Sequence, residues 1–452
     1  MKIGFAISDI TPELGIYLTG YGMPKRLANA VHSPLSAIAM VIKDGDTEAA
    51  IIALDWCVIG ADITKKFCQA VSQASGIMEQ NILFSCTHTH SAPHTTDQRT
   101  IGRTTVDPEN KGMEYAEKSI PAIVEAVCQA QRSMQETKVC IAGGKTEAGV
   151  SRRGLNKNGL IEGFHADPFA MYDSNMTAVK FKDVQNNQDI GVLIHCSAHN
   201  TAMGATPDIS SDWCGVMRKR IGEYYQVPVI FINGAIGDVG PRTNKWLEST
   251  TMFGYSAGQG DGIKSVEEVG YRAASDALSL LMNMRDFRSD LPLKVHTSKL
   301  TLPQEIPMSA EEAKAIIEFH EAQSAPDKLF PREYYVAKQA FESWQQPLQE
   351  TIEIPQTIVQ IGSLALIPFP YEMFSVFSLR LRKYGPFKYN LLCSNVNGCY
   401  GYVPDKGAIA IGGYEVDCRQ LMEKYVLKPE AGDLAVSQTL KALEEMTTHN
   451  SE

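Results

Sequence analysis

The strongest constraint on this chain is a rhythm. Short apolar runs of strand length alternate with longer stretches of helical spacing along most of its 452 residues. Ala37 to Lys43 and Ala49 to Leu54 read as strands joined by the turn Asp44-Gly45-Asp46. Ile63 to Ser75 carries Ile63, Phe67, Ala70, Val71 and Ala74 at helical spacing. Asn81 to Ser85 reads as a short strand and Tyr115 to Met134 as a long amphipathic helix. Further strands are expected at Met176 to Lys182, Ile190 to Cys196 and Val229 to Ile232, with helices at Trp213 to Tyr225 and Val266 to Met284. Ile358 to Pro368 reads as a hairpin around Gly362-Ser363. A helix at Ser375 to Tyr384 and a strand at Tyr389 to Ser394 follow it. Such alternation predicts an α/β fold with a mixed central β-sheet flanked by helices.

One region breaks the rhythm. Ser309 to Gln346 is charged and helical, opens with a capping box from Ser309 to Glu312, and is split by Pro326 and Pro331. It reads as a helical insertion at 309–346. No internal repeat, low-complexity tract or Pro/Ser-rich linker is visible, which favours a single domain over 1–452.

Charge narrows the function. With 42 basic and 52 acidic residues the net charge is −10, which argues against general affinity for nucleic acid or a polybasic membrane anchor. No run reaches the ~18 apolar residues of a membrane-spanning helix. The first residues enter a strand-like run without a signal peptide's apolar region. The ten cysteines form no C-x-x-C and read as reduced, buried small hydrophobes. A cytoplasmic location is the expectation.

Five of the ten histidines lie in two short clusters, each after an apolar strand. His88, His90 and His94 fall in Thr87-His88-Thr89-His90-Ser91-Ala92-Pro93-His94, and His195 and His199 in His195-Cys196-Ser197-Ala198-His199-Asn200. Residues two apart on extended chain point to one side, so His88 and His90 can face one cavity. His195 and His199 can do the same if extended, or share a helix face. Two such clusters with a carboxylate suit zinc; hydrogen-bonded core histidines are the alternative. The loop Asn233-Gly234-Ala235-Ile236-Gly237-Asp238-Val239-Gly240-Pro241-Arg242 is neither a dinucleotide fingerprint nor a Walker motif. It reads as a loop shaping a cleft, or as a plain tight turn. Glu372, between an apolar strand and a helix, and Tyr402, in a Gly- and Tyr-rich loop, complete the candidates. Each has a purely structural reading when taken singly.

Together these segments resemble the neutral/alkaline non-lysosomal ceramidases, specifically their N-terminal catalytic domain. The resemblance runs from Ser8-Asp9-Ile10-Thr11-Pro12 to about Glu415. It rests on Thr87 to Pro93, on Ala198 to Met203 with Ser210-Ser211-Asp212, on Gly237 to Pro241 and on Gly413-Tyr414-Glu415. It implies a zinc amidohydrolase that cleaves the amide of ceramide with metal-activated water. By motif position His88, His199, Glu372 and Tyr402 would hold Zn2+, and His90 would face the reacting carbonyl or the water. Arg152, or Arg153 if the register slips by one, would lie near the scissile group. Asp238 would orient a neighbour, and His94 and His195 would have structural roles.

The departures shape the expectation. Gly240 stands where the family loop carries a catalytic Ser. The 452 residues leave no room for the family's C-terminal immunoglobulin-like domain, and no secretion signal is visible. These points favour a small, soluble amide or ester substrate, with lactones within range. True ceramidase activity on N-acylsphingosine and a catalytically inactive, ligand-binding family member are the alternatives. Oligomeric state is not legible.

Overall fold

The computed structural model describes residues 1–21, 26–96, 100–101, 104–105, 107–161, 164–243, 262–323, 330, 332–422 and 425–448. Its architecture is one arrangement built three times. The first unit runs β1 (Lys2–Asp9), β2 (Ser36–Asp44), β3 (Thr47–Leu54), α1 (Ala61–Ser75), β4 (Ile82–Cys86), α2 (Lys111–Arg132). The second runs β5 (Gln135–Lys145), β6 (Asn175–Asp183), β7 (Asp189–Cys196), α3 (Asp212–Tyr225), β8 (Val229–Asn233), α4 (Gly262–Met282). The third has β9 (Leu293–Glu305), then the inserted pair α5 (Ala310–Ala322) and α6 (Arg332–Trp344), then β10 (Thr351–Ile361), β11 (Leu364–Pro368), α7 (Ser375–Tyr384), β12 (Tyr389–Cys393) and α8 (Ala431–Thr448).

In each unit the first three strands form antiparallel neighbours. The fourth strand is then parallel to the third. A parallel neighbour needs a crossover, and the intervening helix supplies it. Units one and two join through β1 and β5 into one eight-stranded sheet of order β8-β7-β6-β5-β1-β2-β3-β4. Unit three forms the second sheet, β12-β11-β10-β9, extended by Val426–Leu427. The expectation of no internal repeat is therefore corrected. The repetition lies in strand order and crossover, which little-related sequences can share, and not in residue identity.

Side-chain alternation explains how the two sheets pack. Ile38, Met40 and Ile42 of β2 and Leu193 of β7 share a buried cluster with Val359, Leu364, Leu366 and Leu391 of the second sheet. Their sequence neighbours point the other way. Ala37, Ala39 and Val41 meet α1 and α2, and Val192 and Ile194 meet α3 and α4. Ala365, Ile367 and Leu392 meet α7 and α8. The result is four layers, helix–sheet–sheet–helix, and it accounts for the continuous apolar runs: strands covered on both faces have no polar side. Each fully buried Ile, Leu or Phe contributes roughly 1.5–3 kcal/mol relative to exposure.

The mixed sheet and flanking helices agree with the sequence expectation, with element ends shifted by a few residues. The capping box at Ser309 forms with both of its bonds. Pro326 and Pro331, the expected helix breakers, lie outside the described residues. None of the ten cysteines is in a disulfide. No helix among the described residues is long and apolar enough to cross a membrane.

Candidate functional site

The parallel pair of each unit ends at the same place, and the residues just beyond those carboxyl ends converge. Crevices of this kind are where α/β sheets collect ligands. Their backbones are laced together. Cys86 N donates to the Asn395 carbonyl, Ser394 N to Asn233 and Asn397 N to Phe84. The side chains of Asn200 and Asn233 both donate to the Thr87 carbonyl. The first unit supplies Cys57, His88 and His90, the second His199, and the third Glu372, Asn395 and Tyr402.

Three groups meet at one buried point. Glu372 Oε2 lies 3.0 Å from His199 Nε2 and 3.5 Å from His88 Nε2. Side chains of all three are almost entirely buried. The far nitrogens set the protonation. His88 Nδ1 lies 2.8 Å from the Cys57 carbonyl oxygen, and His199 Nδ1 lies 3.0 Å from that of Val239. A carbonyl only accepts, so each Nδ1 carries the proton and each Nε2 is left unprotonated, an acceptor. The Asn395 side-chain amide also meets His88 Nδ1, at 2.9 Å. The atom at that distance is Nδ2, while Oδ1 has no partner; with Nδ1 protonated, exchanging the two ends of the amide satisfies the contact.

The electrostatics agree. Burial, with Arg152 beside it, pulls His199 down to about 3, and burial lowers His88 as well. Burial opposes the charge on Glu372, but His88, His199 and Arg152 outweigh it and hold the carboxylate at about 2. The cluster is thus two neutral imidazoles and a carboxylate, all acceptors, and Glu372 Oε2 receives no hydrogen bond. Acceptors crowded at one buried point repel each other. The ligand atoms lie within 4.8 Å of one another, and a divalent cation with nitrogen and oxygen ligands fits that donor set.

Two further sequence candidates border the cluster. His90 Nε2 is 3.2 Å from His88 Nε2, and burial drives its pKa well down. Tyr402 pairs with Glu372 in a short parallel ladder, Glu372–Met373 against Tyr402–Val403, which sets the two residues side by side. Burial and the Glu372 charge push the Tyr402 phenol well up. A second grouping, Cys57, His88 and His90, is also compact. It is the poorer ligand set, because burial and Glu372 hold the Cys57 thiol protonated and the thiolate is the metal ligand.

Arg152 enters from the strand Gly149–Ser151, which pairs antiparallel with Val239–Pro241 through Gly240 and Val150. Its Nη1 stands 3.1 Å from His199 Nε2, its Nε donates to Glu415 at 2.8 Å, and its Nη2 donates to the Gly237 carbonyl at 2.8 Å. Its guanidinium centre lies 5.6 Å from the Tyr402 ring centroid. Burial alone would lower its pKa; Tyr402, Glu415 and Glu372 raise it instead. Arg153 points to Glu415 and to the Gly412 carbonyl, so in this register Arg152 is the residue that faces the cluster.

Other candidates fall outside it. The Asp238 carboxylate accepts from Ser375 N and Ser375 Oγ, both at 2.8 Å, and so caps α7. His195 Nε2 bonds the Leu392 carbonyl at 2.7 Å, and His94 Nδ1 meets Thr19 Oγ1 at 2.9 Å. The pairing of His195 with His199 at one cavity is therefore not formed. Sequence reasoning passed over Cys57, Asn395 and Arg26. Their only signal was position, just past a strand or within an N-terminal loop.

Fold and site define a mixed α/β protein with a buried His-His-Glu centre. Residues 1–286 match the family described as neutral/alkaline non-lysosomal ceramidase, N-terminal, and the chain belongs to that family. Neutral ceramidase A and neutral ceramidase B of Dictyostelium discoideum are 26% and 27% identical to it over 209 and 214 residues. Those stretches cover 44% of this chain and only 29% of each relative. Among solved structures, the neutral ceramidase from Pseudomonas aeruginosa superposes with a TM-score of 0.72 at 16% identity, covering 99% of this chain and 74% of that one. A ceramidase complexed with C2 gives 0.70, also at 16% identity, over 99% and 75%. At that identity the likeness shows the fold.

Proposed function

We propose that the chain is a metal-dependent hydrolase acting on an amide or ester of a small acyl compound, with His88, His199, Glu372 and Tyr402 as ligands of Zn2+. One observation supports the reading: two unprotonated imidazole nitrogens and a carboxylate, each supplied by a different part of the fold, lie within 4.8 Å of one another at one buried point, where Glu372 Oε2 has no hydrogen-bond partner. When bound, zinc supplies a Lewis acid that polarises a carbonyl and acidifies water.

The chain's own residues do the rest. The Cys57 and Val239 carbonyls fix the imidazole tautomers. Arg152, anchored by Glu415 and Gly237, offers a fixed cation to an oxyanion developing beside His199. His90, neutral in its buried setting, is placed to take or return a proton at Nε2. Asp238 acts at one remove, by tying α7 to the loop that holds Arg152. The convergence of all three units on these residues supports reading the chain as one catalytic domain with an inserted α5–α6 pair. Ten cysteines outside any disulfide support a reducing compartment such as the cytoplasm.

Elemental analysis of protein purified without added metal is expected to find about one zinc per chain. His88→Ala should lose both the metal and hydrolysis. A variant that stays active, or a wild-type protein that binds no metal, would overturn the assignment. Fatty acid release from ceramide in detergent, measured beside hydrolysis of soluble N-acyl amides and esters, separates a lipid substrate from a soluble one.

A further inference from the structure

Two arginines flank the histidines, and among the described residues only one has a counter-ion. Arg152 is matched by Glu415. Arg26, on the loop between β1 and β2, is only 7% exposed, yet among the described residues no carboxylate lies within ion-pair distance of it. Its Nη2 donates to the carbonyls of Thr19 and His90. Its guanidinium stacks over Tyr21, 4.9 Å from the ring centroid, and Tyr21 in turn packs edge-on against the His90 ring at 4.9 Å. Nε and Nη1, which carry most of the side chain's N–H bonds, are buried and have no partner. His90 Nδ1 is likewise buried without a partner.

A buried, uncompensated guanidinium is costly, and removing such a charge generally raises stability. Burial drags Arg26 down to about 10, and no carboxylate raises it. A group held this way beside the centre has a use when a ligand supplies the missing charge. Guanidinium N–H groups match the oxygens of carboxylates and phosphates. The backbone bond from Arg26 to His90, and the contact of His90 Nε2 with His88, put this cation one side chain away from the proposed metal.

We propose that Arg26 is a substrate-binding residue that receives an oxyanion of the substrate, so that the scissile acyl compound carries a carboxylate or phosphate a few bonds from the bond cleaved. This rests on the hydrolase reading for the word "scissile" alone; the anion site stands on its own geometry. It separates this chain's substrate from a neutral lipid such as ceramide.

The test uses the metal-loaded full chain and titration calorimetry. The probes are N-acetylglycine, its uncharged amide N-acetylglycinamide, and the phosphate ester of N-acetylethanolamine. Wild type is expected to bind one of the two anions roughly 10- to 100-fold more tightly than the neutral amide. The preferred anion distinguishes carboxylate from phosphate. Arg26→Met should abolish the preference and also raise Tm, since it removes an unpaired buried charge. Arg26→Lys, which keeps the charge, should retain part of the preference and serves if the Met variant misfolds. Equal binding of acid and amide by wild type overturns the inference, as does a preference that survives Arg26→Met or a Tm that falls in that variant. Anion preference without hydrolysis of any amide or ester would reject the hydrolase reading and leave this one. Hydrolysis without anion preference would do the reverse.

Discussion

Arg152 and Glu415, 263 residues apart, form a buried ion pair whose cation reaches on to His199. The pair fixes the angle at which a guanidinium meets the site, and it joins the second unit to the short helix Tyr414–Met422. Removing one member leaves a charge stranded. Glu415→Gln is expected to cost about 3–5 kcal/mol by denaturant unfolding. Asp290→Asn, which breaks the exposed pair with Arg288, should leave the unfolding midpoint unchanged. If the two variants behaved alike, the buried pair would not be holding Arg152.

His88 has a backbone φ of +66°, a left-handed conformation that side chains with a Cβ disfavour. His88→Ala and His88→Gly both remove the imidazole, but only glycine relieves the backbone. The Gly variant should be the more stable by about 0.5–1 kcal/mol, with both failing to retain zinc. An Ala variant equal to or more stable than Gly would show that the conformation carries no strain.

Removing the metal should expose the crowding of acceptors. In wild type, chelation is expected to lower Tm, because a ligand that binds only the folded state stabilises it by mass action. Glu372→Gln substitutes an amide that can donate toward the Nε2 lone pairs. With chelator present this variant should therefore melt above wild type; with zinc present it should melt below. The crossing of the two orders is the readout, and an amide variant that melts lower in both conditions counts against a cation site.

Asp238 supplies a pH signature. Burial raises its carboxyl to about 7, against an ordinary value of ~3.9. A carboxyl raised on folding contributes stability that is full below the unfolded value and lost as pH rises through the folded one. Wild type should lose stability between about pH 4 and pH 7, with a contribution of up to ~1.4 kcal/mol per pH unit from this group. Both bonds from Ser375 go to Oδ1, so Asp238→Asn keeps the cap and removes the titration. Parallel stability profiles for the two proteins would discard this assignment.

Much of the fold was legible because strands covered on both faces read as unbroken apolar runs such as Ile190 to Cys196, and because helices α1 and α7 carry clear spacing. In the second sheet the hairpin β10–β11 and the strand β12 were legible, but β9 was not. β9 mixes Lys, His, Ser and Thr with its apolar residues, since part of it faces solvent, and period two was too weak to declare it. At the site, His88 and His199 stood out as members of histidine clusters just after strands, while Glu372 was marked as a ligand only by the resemblance to the family. Asn395 and Arg26 did not stand out, because their importance is what they face: a ring nitrogen 307 residues away in one case, and no counter-ion in the other. The resemblance to the family marked Asp238 as orienting a neighbour without naming it; that depends on the packing of the loop against the first turn of α7.

The threefold build has a consequence for how the protein comes into being. Contacts across more than 250 residues close late, because bringing distant segments together costs loop entropy before any contact repays it. No nascent or nicked chain lacking one unit can present all of His88, His199 and Glu372. With His88, His199 and Glu372 as the proposed ligands, metal uptake would report completed assembly. In refolding experiments, zinc capture should coincide with the last kinetic phase, and zinc added at the start should slow unfolding more than it hastens folding.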